Sequence, residues 1–222
     1  MFEIYLGITG GKNTDWQLKL QEINRLGIKE AAVFLERFNG PGRDNLRRFL
    51  IKSSITKVPL VHLRNDCHKD EIKFFIDNFK TEYFNIHEDS FNLLEQWKGY
   101  WDKLYLEMNY DSQIDKNVKV RQIGGFCVDL AHFQSAIARG SEEAAYIYLK
   151  KNKIKFASNH LGGYSPEKKS DLHTIASLKD FDYLTALPKW VFGEVIAMEV
   201  DNSIEEQLKF KEYLIKILKR SY

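Results

Sequence analysis

Short β-type runs alternate with amphipathic helical runs from one end of this chain to the other, the pattern that a parallel sheet with crossover helices requires. Eight strand candidates stand at 2–8, 30–36, 57–63, 83–88, 103–108, 125–130, 155–160 and 195–200. Eight parallel strands separated by helices close on themselves, so the expected fold is α/β, a compact (β/α)8 barrel with short loops in which 1–222 form one domain. The runs LVHL, FNIH, YLEM, FCVDLAH, FASNH and IAMEV share a second property: each begins as a buried strand and then reaches a carboxylate or imidazole that an apolar interior does not tolerate. In a parallel barrel every strand's C-terminal end opens on one rim, so polar residues confined to those ends converge however far apart they lie in sequence.

The helices are legible by spacing. Ile72, Phe75, Ile76 and Phe79 follow the i, i+3, i+4, i+7 pattern of a helix face that lies on the sheet. Thr14 with Gln17, and Ser203 with Glu206, each match a capping box, in which a hydroxyl and a later side chain satisfy the free donors at a helix start. The last helix is expected over 204–219, its end marked by Lys216, Lys219 and Arg220, which complement the negative pole of the helix dipole. Two connections are not minimal crossovers. Residues 109–124, with Asp115, Lys116 and Asn117 in the middle, leave room only for a short or irregular helix, and the segment from Gly162 to Gly193 is long enough to carry function at the rim.

Lys plus Arg (33) nearly balances Asp plus Glu (31), which removes any polyelectrolyte argument for nucleic acid or an acidic membrane. Two cysteines, Cys67 and Cys127, are too few for a disulfide framework, and Cys127 sits in an apolar run; a reducing, cytoplasmic compartment is expected. The N-terminal MFEIYLG carries Glu3 where an export signal would be basic, and no apolar stretch approaches the roughly 18 residues of a membrane span.

Glu107, Asp129, His160 and Glu199 close four successive runs and would offer one cation a mixed oxygen and nitrogen shell, of the kind that suits zinc, manganese or iron. Asp129 with His132 (D-x-x-H) and Asp171 with His173 (D-x-H) add ligands on loops above them, and His62 and His87 come from adjacent strands on the Glu107 side. Stepping back two residues from the strand-end ligands gives Leu60, Asn85, Tyr105, Cys127, Ser158 and Ala197, a set suited to a filled barrel interior. Each ligand candidate taken singly has an ordinary explanation: a hydrogen-bonded core histidine, a carboxylate paired with a lysine, or a solvated loop pair. His68, in NDCHKD, reads as a surface residue at a helix entry. Lys12, Arg37 and Arg64 follow the first three strands and are the candidate substrate-binding residues, since a guanidinium fork suits phosphate oxygens; Arg43, Lys168 and Lys169 are also placed near the rim. Trp16, Trp97 and Trp101 are expected to pack helices on the barrel, with Trp190 the candidate for the rim.

In the order and strand position of these residues the chain resembles the xylose-isomerase-like superfamily of TIM barrels. Glu107, Asp129, His160 and Glu199 match the metal quartet of its sugar isomerases and epimerases, and all nine positions match the endonuclease IV branch. That resemblance implies three zinc ions: one on His62, His87 and a bridging Glu107, one on Glu107, Asp129, His160 and Glu199, and one on His132, Asp171 and His173. The chain departs from the branch after Glu107, where Met108, Asn109 and Tyr110 replace an ENTAG-like stretch, and after His173, where Thr174–Ser177 replace a glycine-containing turn. It is also short, so long DNA-gripping loops are not expected.

Three functions follow. The first is metal-dependent hydrolysis of a phosphoester, on a phosphorylated small molecule or abasic DNA. The second is a one-metal sugar or sugar-phosphate isomerase or epimerase, in which Glu107 and Glu199 are the acid and base and His132 contacts substrate. The third is a metal-binding interaction module without catalysis.

Overall fold

The computed structural model describes residues 2–11 and 15–221; Lys12, Thr14 and the side chain of Arg220 lie outside the described residues. Its main sheet contains β1 (Glu3–Tyr5), β2 (Gly7–Ile8), β3 (Ala32–Phe34), β4 (Leu60–His62), β5 (Tyr83–Ile86), β6 (Leu104–Leu106), β7 (Gly125–Asp129), β8 (Phe156–Leu161) and β11 (Val195–Met198). The spatial order is β1-β11-β8-β7-β6-β5-β4-β3-β2, every pair parallel. The two ends of that order, β1 and β2, are one chain run separated by Leu6 alone, so the sheet comes round on itself in eight staves. All eight expected strands are present.

At this seam the first stave leaves β11 and joins β3, and the backbones come close. A Cβ on Gly7 would lie 1.7 Å from the carbonyl oxygen of Met198, so only glycine fits. The fully buried amide of Gln207, on the last helix α6 (Ile204–Ser221), accepts from Gly7 N–H at 2.7 Å and donates to Gly7 O at 3.1 Å. Inside the barrel, Tyr5, Phe34, Leu60, Tyr105, Cys127 and Ala197 form one apolar cluster, while a larger one fills the space between staves and helices.

The outer layer contains α1 (Trp16–Leu26), α2 (Gly40–Ile51), α3 (Lys69–Phe79), α4 (Leu130–Arg139), α5 (Glu142–Lys150) and α6. On α3, Ile72, Phe75 and Phe79 are buried and Ile76 half-buried, as their spacing predicts, and His68 stands at the entry to that helix. The Ser203–Glu206 box is formed, with Ser203 N donating to Glu206 and Glu206 N to Ser203. At α1 the N-cap is Asp15, whose carboxylate accepts from Gln17 and Leu18 N–H at 2.9 and 3.1 Å. Between β5 and β6 runs a 3-10 segment, Glu88–Trp97, and between β6 and β7 only a 3-10 turn, Val120–Gln122. The buried Glu88 carboxylate accepts from Asn109 and Asp115 N–H, pinning that irregular connection.

The long connection before β11 contains an antiparallel hairpin, β9 (Gly163–Ser165) and β10 (Ser170–Leu172), packed on α4. Asp171 is therefore a strand residue and not a loop residue. The connection then returns to the opposite end of the barrel before β11 begins, which corrects the rim placement of Trp190: it packs against Phe133, Tyr148 and Phe156, the last opening β8. Trp97 and Trp101 do secure the outer layer, through indole N–H bonds to Cys67 O and Leu94 O. Both cysteines are free and buried. Among the described residues no helix is long and apolar enough to cross a membrane.

Arg43 is also corrected. Its guanidinium is buried and donates to Glu71 at 2.8 Å, Asp66 at 2.9 Å and Phe38 O at 2.9 Å, which ties α2 to α3 and leaves it no role on a substrate. Because Glu71 is buried too, Arg43→Ala leaves an uncompensated carboxylate and should lower unfolding free energy by about 3–5 kcal/mol, measured by urea denaturation; a loss below about 1 kcal/mol, the value of an exposed pair, would contradict this account.

Candidate metal centre

Glu107 and Glu199 stand one residue beyond β6 and β11 yet remain in the sheet ladder, Glu107 N donating to Ile86 O and Glu199 N to Leu161 O, both at 2.9 Å. The ladder thus fixes their direction, and both carboxylates converge on His160 of β8, whose Nδ1 lies 3.1 Å from Glu107 Oε2 and 3.2 Å from Glu199 Oε2. Asp129 ends β7 and is also the N-cap of α4, its Oδ1 accepting from His132 N–H at 2.7 Å. The D-x-x-H spacing is therefore a helix cap as well as a pair of candidate ligands: it turns the His132 ring one helical turn above the strand end. Glu107, Asp129, His160 and Glu199 are all buried, and one ligand atom from each lies within 4.8 Å of the others. This is the quartet expected from sequence.

A second group forms where the hairpin meets α4. His132 Nε2 is 3.3 Å and His173 Nε2 3.2 Å from the same oxygen of Asp171. His173 Nδ1 bonds Glu199 O at 3.1 Å, which leaves Nε2 for the group. A third contains a residue the sequence reading missed. Glu36 Oε2 lies 3.9 Å from His62 Nδ1 and 3.6 Å from His87 Nε2, and the three form a close set. Glu36 follows the apolar run AAVFL and obeys the same strand-end rule as the other candidates, so the signal was there. Buried Lys19 was likewise not singled out; its Nζ donates to Thr9 Oγ1 at 2.9 Å and to Val200 O at 2.7 Å, securing the segment that carries Glu199.

Packing so many ionisable groups together moves their proton equilibria. Burial pushes His62 down to about 4, against the pull of Glu107, so its ring is neutral. Burial acts the same way on His87 and His132, but Glu36 lifts His87 to about 9, and Asp129 with Asp171 lifts His132 to about 10. Burial raises both Glu107 and Glu199; at Glu107 the His160 and His62 rings outweigh it and hold the carboxylate below its ordinary range, whereas Glu199 stays above. His132, through its hydrogen bond, lowers Asp171 to about 2.

The donor set fits divalent cations. Both nitrogens of His62, Nδ1 of His87 and His160, and Glu107 Oε2 are buried without a hydrogen-bond partner, which is costly unless something else uses their lone pairs. Asn85 contacts Nε2 of His160 while its own Oδ1 is unbonded; exchanging the amide's oxygen and nitrogen lets it accept from Nε2–H and leaves Nδ1 free to ligate. Beside Glu36 the rim opens into a cavity of about 690 Å³ lined by Gly11, Trp16, Arg37, Phe38, Asn39, Gly42 and Arg64. Two of the expected substrate-binding residues, Arg37 and Arg64, therefore share one cavity, and the tryptophan at the rim is Trp16. Their guanidinium groups pair with Glu36 and Asp66, but the side chains remain 41 % and 44 % exposed, with donors to spare.

No protein-family model and no curated protein matches the sequence. Solved structures match by shape: a D-tagatose 3-epimerase-like protein (14 % identity, TM-score 0.53, 98 % of each chain covered), a sugar phosphate isomerase/epimerase from Parabacteroides distasonis (10 %, 0.45, 95 % of this chain and 96 % of that one) and SacUVDE (15 %, 0.48, 99 % and 100 %). The first is close enough to carry the fold, and it agrees with the closed parallel sheet: the chain is a parallel α/β barrel.

Proposed function

We propose that this chain is a metal-dependent phosphoesterase whose site holds up to three divalent cations, zinc foremost, with manganese or iron also suited to the donors. One observation carries this reading: His132, Asp171 and His173 converge in a group of their own, outside a quartet that by itself would satisfy a one-metal enzyme. Bound cations would supply Lewis acidity and activate water at neutral pH, the chemistry that phosphoryl transfer needs. The quartet Glu107, Asp129, His160 and Glu199 would hold one cation, the hairpin group a second, and the His62–His87 side a third. Arg37 and Arg64 would bind the phosphoryl oxygens from the adjoining cavity, and Lys12 is proposed to assist them. Glu107 and Glu199 are the proposed catalytic carboxylates, holding as anions the cation that would activate the attacking water. The substrate would be a phosphorylated small molecule or an abasic-site phosphodiester in DNA, met in the cytoplasm.

Elemental analysis of protein purified without chelator should find about three cations per chain if all three groups are used, each of the kind described for three- and four-ligand zinc sites. Zinc-loaded protein should cleave an abasic-site duplex or an activated phosphodiester, and Glu199→Gln should lower kcat by about 10²–10⁴-fold; absence of turnover on any phosphoester by fully loaded protein would sink the proposal. Loading should also release protons. At pH 8 the His87 and His132 rings, at about 9 and 10, are still mostly protonated, and a cation must displace those protons; the neutral His62 releases none. Calorimetric zinc titrations in buffers of different ionisation enthalpy should show net release that falls as pH rises through about 9 and then about 10, and no buffer dependence at pH 8 would contradict the assignment.

A second reading, a sugar or sugar-phosphate isomerase or epimerase, is favoured by a different observation: Glu107 and Glu199 flank one imidazole with proton affinities pushed in opposite directions, as an acid and base pair requires. It requires solvent deuterium to appear beside a ketose carbonyl in a panel of ketoses and their phosphates, with about one cation per chain; a panel without exchange excludes it.

A further inference from the structure

His62 faces two carboxylates. Its Nδ1 lies 3.9 Å from Glu36 Oε2 and its Nε2 3.6 Å from Glu107 Oε2, and neither nitrogen is hydrogen-bonded. A neutral imidazole has one lone pair and one N–H, so it can ligate a cation on one side only and must donate on the other. His87 decides the side. Its Nε2 is 3.6 Å from the same oxygen of Glu36, whereas Glu107 Oε2 is turned toward His160 at 3.1 Å. Two ligand atoms about 2.0–2.1 Å from a tetrahedral zinc are roughly 3.3 Å apart, so 3.6 and 3.9 Å need only a small closure of side chains onto an ion. Glu36 is also held for the purpose: Arg37 Nε donates to its other oxygen, Oε1, at 3.1 Å, which leaves Oε2 facing the two rings.

We infer that the outer cation site is built on Glu36 Oε2, His62 Nδ1 and His87 Nε2, with a fourth position open, and that His62 Nε2–H is donated to Glu107. Glu107 then belongs to the inner quartet and does not bridge outward, which differs from the ligand set that the family resemblance implies. Arg37 is a positioning residue for Glu36. The inference rests on the metal reading proposed above and changes which carboxylate serves the outer ion.

Zinc stoichiometry tests it. Wild-type, Glu36→Gln, His87→Gln, the double variant and Glu107→Gln are equilibrated with zinc, freed of excess by gel filtration and analysed for zinc per chain, with circular dichroism as the check on folding. Glu36→Gln and His87→Gln should each hold about one zinc fewer than wild type, the double variant no fewer than either, and Glu107→Gln should keep the outer ion. Full zinc in Glu36→Gln, or two zincs lost in Glu107→Gln with none lost in Glu36→Gln, overturns this site while leaving the metal reading intact. A wild-type protein that retains no zinc overturns both. Should Glu36→Gln fail to fold, Arg37→Ala takes its place: it should weaken the outer zinc alone by about 10–100-fold against a chromophoric chelator, and unchanged affinity overturns the assignment.

Discussion

Everything at the rim depends on how the first stave closes the sheet. At Leu6 the chain passes from pairing with β11 to pairing with β3, at a spot where the Met198 carbonyl leaves no room for a side chain on Gly7 and where the Gln207 amide takes both the donor and the acceptor of that glycine. The crossover connections make the strand directions common, and closure then gathers Glu36, His62, Glu107, Asp129, His160 and Glu199 round one rim although they span most of the chain. An open sheet would spread the same residues along an edge.

The cost of gathering them is electrostatic. Burial alone would neutralise every carboxylate and imidazole here. The rim instead sets imidazole against carboxylate in alternation and leaves several lone pairs with no hydrogen bond to make. Such an arrangement is poor as a core and good as a cation site, since cations satisfy the lone pairs and replace the displaced protons together. Supporting bonds run outward from it: Asp129 caps α4, His173 bonds the backbone of Glu199, Lys19 bonds Val200 O and Arg37 bonds Glu36.

Strand-end residues were readable because a barrel's periodicity is local: an apolar run that closes on His or Glu states its own position in the fold. That rule reached eight staves and the quartet, and applied evenly it would have reached Glu36 as well. It failed where position depends on the path of a loop. Arg43 and Arg37 both follow the second strand, yet α2 turns one into a buried clasp on Glu71 and leaves the other at the cavity. Trp190 sits away from the rim expected for it, because a tryptophan's flanking sequence does not say whether its connection has already crossed the barrel, whereas Trp16 packs α1 on Phe38 and Phe49 as expected.

The sequence by itself determined the fold class, the number of staves and the set of groups available to a cation, since these follow from the alternation of apolar and polar residues along single strands. Only the tertiary structure decided the grouping. Asp171 reaches His132 because a hairpin folds onto α4, and His62 meets Glu36 on one side and Glu107 on the other because neighbouring staves are staggered and twisted. Which donors share an ion is a matter of distances of three to four ångströms between elements far apart in sequence, and no local pattern encodes such distances.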